Sequence, residues 1–213
     1  MSNVQTSNDG DNRVVRDLLQ SIERDGAQTQ RHLAQELGIA LGLVNAYLKR
    51  CIGKGFVKVR QAPARRYAYY LTPSGFAEKA RMTLEYLSYS FDLFRRAKAD
   101  CTTVLLAANA RGFHEIVLAG VSELAEIAII CAQETGIEIV MIVDTRSSLT
   151  TFAGLAVVGG YDRVECGFHA VVVTELKTAQ ETYAAAVEHF GAERVLVPSM
   201  LWIQTEKKGA ISA

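Results

Sequence analysis

The sequence predicts an α/β protein in two parts, an N-terminal winged helix-turn-helix domain followed by a small doubly wound Rossmann-like domain. Its 213 residues are enough for two separate cores. Residues 13–72 carry helix-period apolar patterns and then one alternating hairpin, whereas residues 113–203 alternate short apolar strands with helices. Charge divides in the same way, because residues 1–112 hold 17 Lys+Arg against 10 Asp+Glu and residues 113–213 hold 6 against 13. This opposition indicates that only the first half meets a polyanion.

Two of the helices in the first part are spaced as a helix-turn-helix. A first helix is ended by the turn RDGA, and Thr29 is expected to cap a second helix, QRHLAQEL, that stops at Gly38. A third helix follows over residues 41–52. Ala34 is small where two helices cross, Gly38 can take the left-handed conformation of the turn, and Val44 packs the second helix against the third. These three requirements predict the motif.

The stretch FVKVRQAPARRYAYYL predicts a wing, because two alternating strands flank a tip at Pro63. No acidic residue lies between Leu37 and Ala77. A surface that faces DNA phosphates needs this bias, since cations release condensed counterions and carboxylates are repelled. A solvated basic face is the alternative, but the coincidence with a helix-turn-helix and a wing favours double-stranded DNA as the partner. Seven cations share this acid-free stretch: Lys49, Arg50, Lys54, Lys58, Arg60, Arg65 and Arg66.

Residues 13–96 resemble the winged-helix domain of MarR-type transcriptional regulators, especially those found with exopolysaccharide gene clusters. The motifs that carry the resemblance are ELGIALGLVN, GKGFVKV and YYLTPSG. It implies that Asn45 reads a base, since a carboxamide can bond adenine bidentately, and that Gly42 allows close backbone approach. Lys49 and the wing arginines are expected to hold phosphates. The full predicted DNA-binding set is Gly42, Asn45, Ala46, Lys49, Arg50, Lys58, Arg60, Arg65 and Arg66.

Residues 73–112 are expected to form connecting and dimerisation helices. Pro73 opens a long helix, RRAKAD is expected to end it near Asp100, and a further helix is expected over residues 102–110. An apolar stripe runs along the long helix at steps of three and four residues. It predicts a homodimer seam, since regulators of this type read paired half-sites, or else simple packing on its own domain. The stripe consists of Phe76, Ala80, Leu84, Leu87, Phe91 and Phe94.

The second part begins with a strand, EIVLA, followed by an altered dinucleotide fingerprint in which Gly120, Ser122 and Ala125 stand for G-x-G-x-x-A. Ser122 replaces the glycine that lets backbone amides reach a pyrophosphate, so a compact anionic or hydroxyl-rich ligand is expected rather than a full dinucleotide. Asp144, at the end of the next strand, is placed to bond hydroxyls, or merely caps the exit loop. The predicted ligand-binding set is Gly120, Val121, Ser122, Glu123, Asp144 and Arg146.

Residues 114–200 resemble the Rossmann-type N-terminal domain of sialic-acid-type sugar O-acyltransferases, on the order strand, G-x-S-x-x-A, strand, Asp, F-x-G-x-x-V-x-G, D-x-V and A-V-V-V-T. The resemblance implies a nucleotide or nucleotide sugar as the effector, although the catalytic repeats of those enzymes are absent here. Two hypotheses follow. Either the chain is a transcriptional regulator that senses such a ligand, or its α/β domain is a ligand-free oligomerisation or docking module.

Other features of the sequence limit the classes of function and the compartment that are expected. The four cysteines form no C-x-x-C pair and no metal-ligand spacing exists, so no metal, no certain cofactor and no catalysis are expected. Cys166 and His169 are the sole candidate nucleophile and base, and they have no evident acid partner. The polar residues 1–12 are expected to be a disordered tail, and residues 204–213 a C-terminal tail. Without a signal core or an apolar span, the expected compartment is the cytoplasm.

Overall fold

The computed structural model describes residues 3–62, 66–164 and 167–204. The chain separates into two compact units, one ending at Phe91 and the other beginning at Asp92. The first unit consists of helices α1 (Asn3–Arg24), α2 (Gln30–Leu37) and α3 (Leu41–Gly53), the strands β1 (Val57–Ala62) and β2 (Arg66–Leu71), and the start of helix α4 (Pro73–Ala110). This is the predicted order of a winged helix-turn-helix.

The helix-turn-helix geometry follows from the capping residues that the sequence indicated. The Thr29 side chain accepts a hydrogen bond from the His32 amide and caps α2. Gly38 ends that helix at φ 64°, in the left-handed region that glycine adopts at little cost. The core beneath is formed by α1, α2, α3 and the hairpin, and its fully buried members include Leu18, Leu33 and Val44.

Helix α1 begins earlier than expected. Residues 3–12 were predicted to be a tail, whereas α1 runs from Asn3 without a break into its buried part. Asp11, inside this stretch, accepts a hydrogen bond from the Tyr47 hydroxyl at 2.5 Å. Once the buried turns have nucleated a helix, extending it costs little, so polar residues can continue it.

The second unit contains a six-stranded sheet in the order β5-β6-β4-β3-β7-β8. All neighbours pair in parallel except the edge strand β5, which is antiparallel to β6. The chain adds β4 and β6 on one side of β3 and then returns to add β7 and β8 on the other, which is the Rossmann order. The strands are β3 (Glu115–Ala119), β4 (Glu138–Val143), β5 (Thr151–Phe152), β6 (Leu155–Val158), β7 (Ala170–Val173) and β8 (Val195–Leu196).

Helices cover both faces of this sheet, as a doubly wound fold requires. Helix α5 (Glu123–Thr135) and the last third of α4 pack on one face, where Ile116 and Leu118 of β3 are fully buried. Helix α6 (Ala179–Phe190) packs on the other face, against Val117 and its neighbours. Because successive residues of a strand point to opposite faces, a strand that is buried on both faces must be apolar along its buried length. This holds for all of β7 and for β3 after its first residue, Glu115. The predicted fold class is confirmed.

Helix α4 differs from the prediction in one respect. It is a single helix of 38 residues, and the expected break at RRAKAD is absent. Asp100, expected at the helix end, instead accepts hydrogen bonds from the Ser199 hydroxyl at 2.9 Å and the Met200 amide at 2.7 Å. No glycine or proline lies in this stretch, so nothing in the backbone stops the helix.

One face of α4 has two different environments. Over its middle turns the predicted stripe is exposed, with Leu84 64%, Leu87 41% and Phe91 58% accessible. The same pattern of steps of three and four continues toward the C-terminus, where Cys101 and Leu105 are buried against the sheet. The continuation of the stripe toward the C-terminus is therefore core, and the stripe itself is an exposed apolar face.

No helix in the described part of the chain is long and apolar enough to cross a membrane.

Candidate nucleic-acid interface and ligand site

Helix α3 presents two distinct faces, as a recognition helix must. Val44, Leu48 and Cys51 are buried on the inner face, and burial raises the pKa of the Cys51 thiol. The outer face, about half a turn away, carries Gly42, Ala46 and Lys49, and all three are exposed. Asn45 lies on the flank between the two faces and is half-buried.

Arg50 has a partner that the sequence did not reveal. Its Nη1 lies 3.1 Å from Asp11 Oδ2, while the other carboxylate oxygen of Asp11 accepts from Tyr47. These bonds, first that from Tyr47 and then that from Arg50, hold the pKa of Asp11 below its usual range, and the same bond raises the pKa of Tyr47. The Arg50 guanidinium is therefore bonded to α1. No local spacing links residues 36 and 39 positions apart.

The wing is an antiparallel hairpin with a basic face. Lys58 pairs with Tyr70 and Arg60 pairs with Ala68, so these side chains share one face. Lys58 and Arg60 are exposed, and the Arg60 guanidinium lies 5.8 Å from the centre of the Tyr70 ring. Such stacking orients a long side chain without neutralising its charge.

The predicted wing tip falls outside the described residues. Arg65 is not described, and Arg66 is described only in its backbone, as the first residue of β2 and the register partner of Ala62.

The predicted ligand residues meet at the carboxyl edge of the sheet, where β3 and β7 lie side by side. Gly120 follows β3 at φ 109°, and a Cβ atom built on it would lie 2.6 Å from the backbone nitrogen of Glu175, the second residue after β7. Ser122 caps α5 by accepting from the amides of Leu124 and Ala125, and its hydroxyl donates to the Thr174 carbonyl at 2.6 Å. The space beside Gly120 at this topological switch point is thus occupied by Glu175.

Asp144 is bonded within the chain as well. One carboxylate oxygen accepts from the Val121 amide at 2.9 Å. The other accepts from the amides of Arg146 and Ser147 at 2.8 and 3.0 Å. The carboxylate therefore joins the loop after β3 to the loop after β4. Of the two roles considered for Asp144, this geometry corresponds to capping of the exit loop and not to binding of ligand hydroxyls. The cavity between these loops measures about 10 Å³, room for about one water molecule.

The other two predicted ligand residues lie at the rim of this edge. The Arg146 guanidinium bonds Glu181 at 2.5 Å and also contacts the Thr178 hydroxyl, both at the start of α6. This ion pair is exposed, so it is easily exchanged for another anion. Glu123 is exposed in the first turn of α5.

Gly120 is expected to be indispensable for the α/β fold. Gly120→Ala places a methyl group against the Glu175 backbone at a positive φ, and should lower the free energy of unfolding by about 2 kcal/mol or more. Gly154→Ala is the matched control, because Gly154 has φ 83° but nothing within 4 Å of a Cβ position. Chemical denaturation of both variants measures the difference. Equal losses would mean that the close approach to Glu175 has no energetic consequence.

The candidate catalytic pair gains no support. Cys166 lies outside the described residues, and His169 Nδ1 accepts a hydrogen bond from the Glu115 amide at 3.1 Å. His169 thus acts as a link between the starts of β7 and β3. Among the described residues, no group of three or more His, Cys, Asp or Glu side chains could hold a metal ion.

Comparison with known families matches residues 11–58 to the family described as winged helix-turn-helix DNA-binding. These residues comprise most of α1, all of α2 and α3, and the first residues of the wing. A comparison with curated protein sequences found no match. The N-terminal part of the chain is thus a winged helix-turn-helix DNA-binding domain, and it is followed by a mixed α/β region with a mostly parallel sheet.

Proposed function

We propose that the protein is a transcriptional regulator of the MarR-like type that binds double-stranded DNA with α3 in the major groove and the wing along the adjoining backbone. The observation that carries this proposal is the exposed outer face of α3, which lies in a stretch without a single carboxylate between Leu37 and Ala77. Lys49, Lys58 and Arg60 are exposed cations in that stretch. They supply the phosphate contacts that fix a helix in the groove.

The regulator acts as a homodimer joined through the exposed stripe of α4. A single winged helix reads only a few base pairs, and paired half-sites require two copies. The stripe is the surface best suited to the second copy, because its spacing is that of a helix-helix seam and its large apolar side chains are exposed.

Asn45 is proposed as a base reader at the flank of the groove face. Replacement by alanine removes both its donor and its acceptor, so Asn45→Ala should blur discrimination at one base position and leave binding to unrelated DNA nearly unchanged. Competition against duplexes altered at each position in turn measures this. An unaltered preference at every position would assign the contact to another residue.

The geometry favours a ligand-free role for the α/β domain, as an assembly or docking module that completes the core around the end of α4. Ser122, Asp144 and Glu175, which would have to receive a ligand, are bonded or packed within the chain.

Ligand sensing is the second candidate, and two observations favour it. The capped N-terminus of α5 lies at the switch point of a Rossmann-ordered sheet, where such folds bind ligands. The partners that hold the Arg146 guanidinium there, Glu181 and the Thr178 hydroxyl, form exposed contacts that an anion could replace. A nucleotide or nucleotide sugar is the ligand class that the sequence resemblance implies.

A thermal-shift screen with nucleotides and nucleotide sugars separates the two roles. A ligand that binds the folded state raises the melting temperature. Arg146→Gln is the informative variant, because Gly120 and Asp144 hold the fold and their replacement could abolish binding through unfolding. A shift lost in Arg146→Gln and kept in Lys177→Gln supports sensing at this edge. No shift with any compound supports the assembly role.

A further inference from the structure

The exposed side of the first two turns of α3 is apolar. Gly42 and Ala46 are exposed on the outer face, and Leu41 and Leu43, which are 44% and 50% exposed, lie one on each flank of that face. The first cation of the helix, Lys49, comes only in its third turn. The N-terminal half of a recognition helix is the part that meets base edges, so this half would meet them with carbon and hydrogen atoms.

The fold does not require these residues. A Cβ atom at Gly42 would find nothing within 4 Å, so glycine is not needed for packing there. Glycine inside a helix also weakens it relative to alanine. Leu41 and Leu43 lie outside the buried core of the domain, whose α3 members are Val44, Leu48 and Cys51. The two leucines and the glycine are therefore available to a second surface.

Charge identifies that surface as DNA. The apolar patch lies in the acid-free stretch of the chain, together with Lys49 and the wing cations Lys58 and Arg60. An apolar protein partner would not need this exclusion of carboxylates, whereas a phosphate backbone does.

The chemistry of the patch then determines what it can read. Leucine, alanine and glycine side chains have no hydrogen-bond donor or acceptor, so they cannot recognise the polar edges of guanine, cytosine or adenine. In the major groove the apolar feature that distinguishes one base pair is the C5 methyl group of thymine.

We propose that α3 selects T·A pairs by contact of thymine methyl groups with Leu41, Leu43 and Ala46, and that Gly42 lets the helix backbone approach the bases. This inference rests on the proposed DNA-binding function. It assigns base-pair specificity to apolar contacts made by the first two turns of α3, in addition to the polar contacts proposed for Asn45 and Lys49.

The test removes the methyl group from the DNA. Preferred sites are first enriched from a random duplex library with the full chain, and each thymine is then replaced in turn by deoxyuridine, which keeps the base pairing and lacks the methyl. At one or more positions in each half-site the affinity should fall about fourfold, the factor for burying one such group. A cytosine introduced at such a position should regain part of this loss when it is 5-methylated.

Protein variants show which residues of α3 cause the loss of affinity for deoxyuridine duplexes. Leu41→Ser with Leu43→Ser should lose the discrimination between thymine and deoxyuridine at one or more of these positions, and both leucines are exposed enough for the fold to tolerate the change. Lys49→Gln is the control, which should weaken binding to both duplexes by the same factor. Methyl discrimination that survives unchanged at every position in the leucine variant would overturn the proposal, as would equal affinity of the wild type for every substituted duplex. If the wild type binds no duplex at all, the DNA-binding function itself is contradicted.

Gly42→Ala provides a second test, in which stability and DNA affinity should change in opposite directions. The melting temperature should rise, because alanine favours the helix and its methyl meets open space. Affinity for the enriched site should fall, because the methyl holds the backbone away from the bases. A more stable variant with undiminished site affinity would overturn the role of Gly42 in close approach. Leucine variants that change the oligomeric state would reassign the patch to a second copy.

Discussion

Replacing Leu87 and Phe91 together by glutamate is expected to convert a dimer into a monomer and to weaken binding to a two-half-site operator by about 100-fold or more. Both side chains lie on the exposed stripe of α4, four residues and about one helical turn apart. Two adjacent carboxylates cannot be buried in an apolar seam without a large desolvation cost. Light scattering reports the oligomeric state, and a mobility-shift titration reports the affinity.

Tyr89 and Leu93 provide a matched control on the same helix. They are also four residues apart and are 66% and 49% exposed, but they lie on a different face from the stripe. Tyr89→Glu with Leu93→Glu should remain dimeric and bind the operator normally. A wild-type chain that is monomeric at micromolar concentration, or a dimer that is broken equally by both pairs, would contradict the assignment of the seam.

Replacing Lys58 and Arg60 by glutamine is expected to weaken binding to all duplexes alike, on the order of 100-fold, because two charge-assisted phosphate contacts are lost. The wild-type affinity should fall steeply with salt, and the slope of log K against log salt should decrease by about two in the double variant. Mobility shifts over a salt series measure both quantities.

Arg81→Gln provides the matched control for the wing. Arg81 belongs to the same unit and its side chain is half-exposed, but it forms ion pairs with Glu78 and Glu85. These bonds raise the pKa of the Arg81 guanidinium further above its already high value. Removal of a cation that is already neutralised should leave the salt slope unchanged. Binding by the wild type that is indifferent to salt would exclude a phosphate-facing wing.

The parts of the fold that the sequence predicted depend on local rules. The capping threonine at residue 29 and the left-handed glycine at residue 38 determine where α2 begins and ends, and both can be identified from a few neighbouring residues. The period of the apolar residues likewise distinguishes the helices from the buried strands. The fold class was therefore predictable from spacing alone.

The features that the sequence did not predict depend on contacts between distant residues. The Glu175 backbone fills the space beside Gly120, and only the sheet order brings these two residues together. The partners of Asp11 in α3 and the Ser199 and Met200 partners of Asp100 are separated from them by 36 or more residues. A motif search identifies the glycine and the aspartate of a fingerprint, but it cannot tell whether a ligand or the chain itself occupies the space between them.

The last turns of α4 belong to the core of the second unit, and this determines which fragments of the protein can fold. Ala97, Cys101, Leu105 and Ala108 complete one face of the sheet, so a fragment starting at residue 113 would expose that face to water and aggregate. The shortest α/β fragment that keeps its own core begins near Asp92, in the middle of a helix. Limited proteolysis, which needs an unfolded stretch of backbone, should accordingly find no cleavage site between residues 73 and 110.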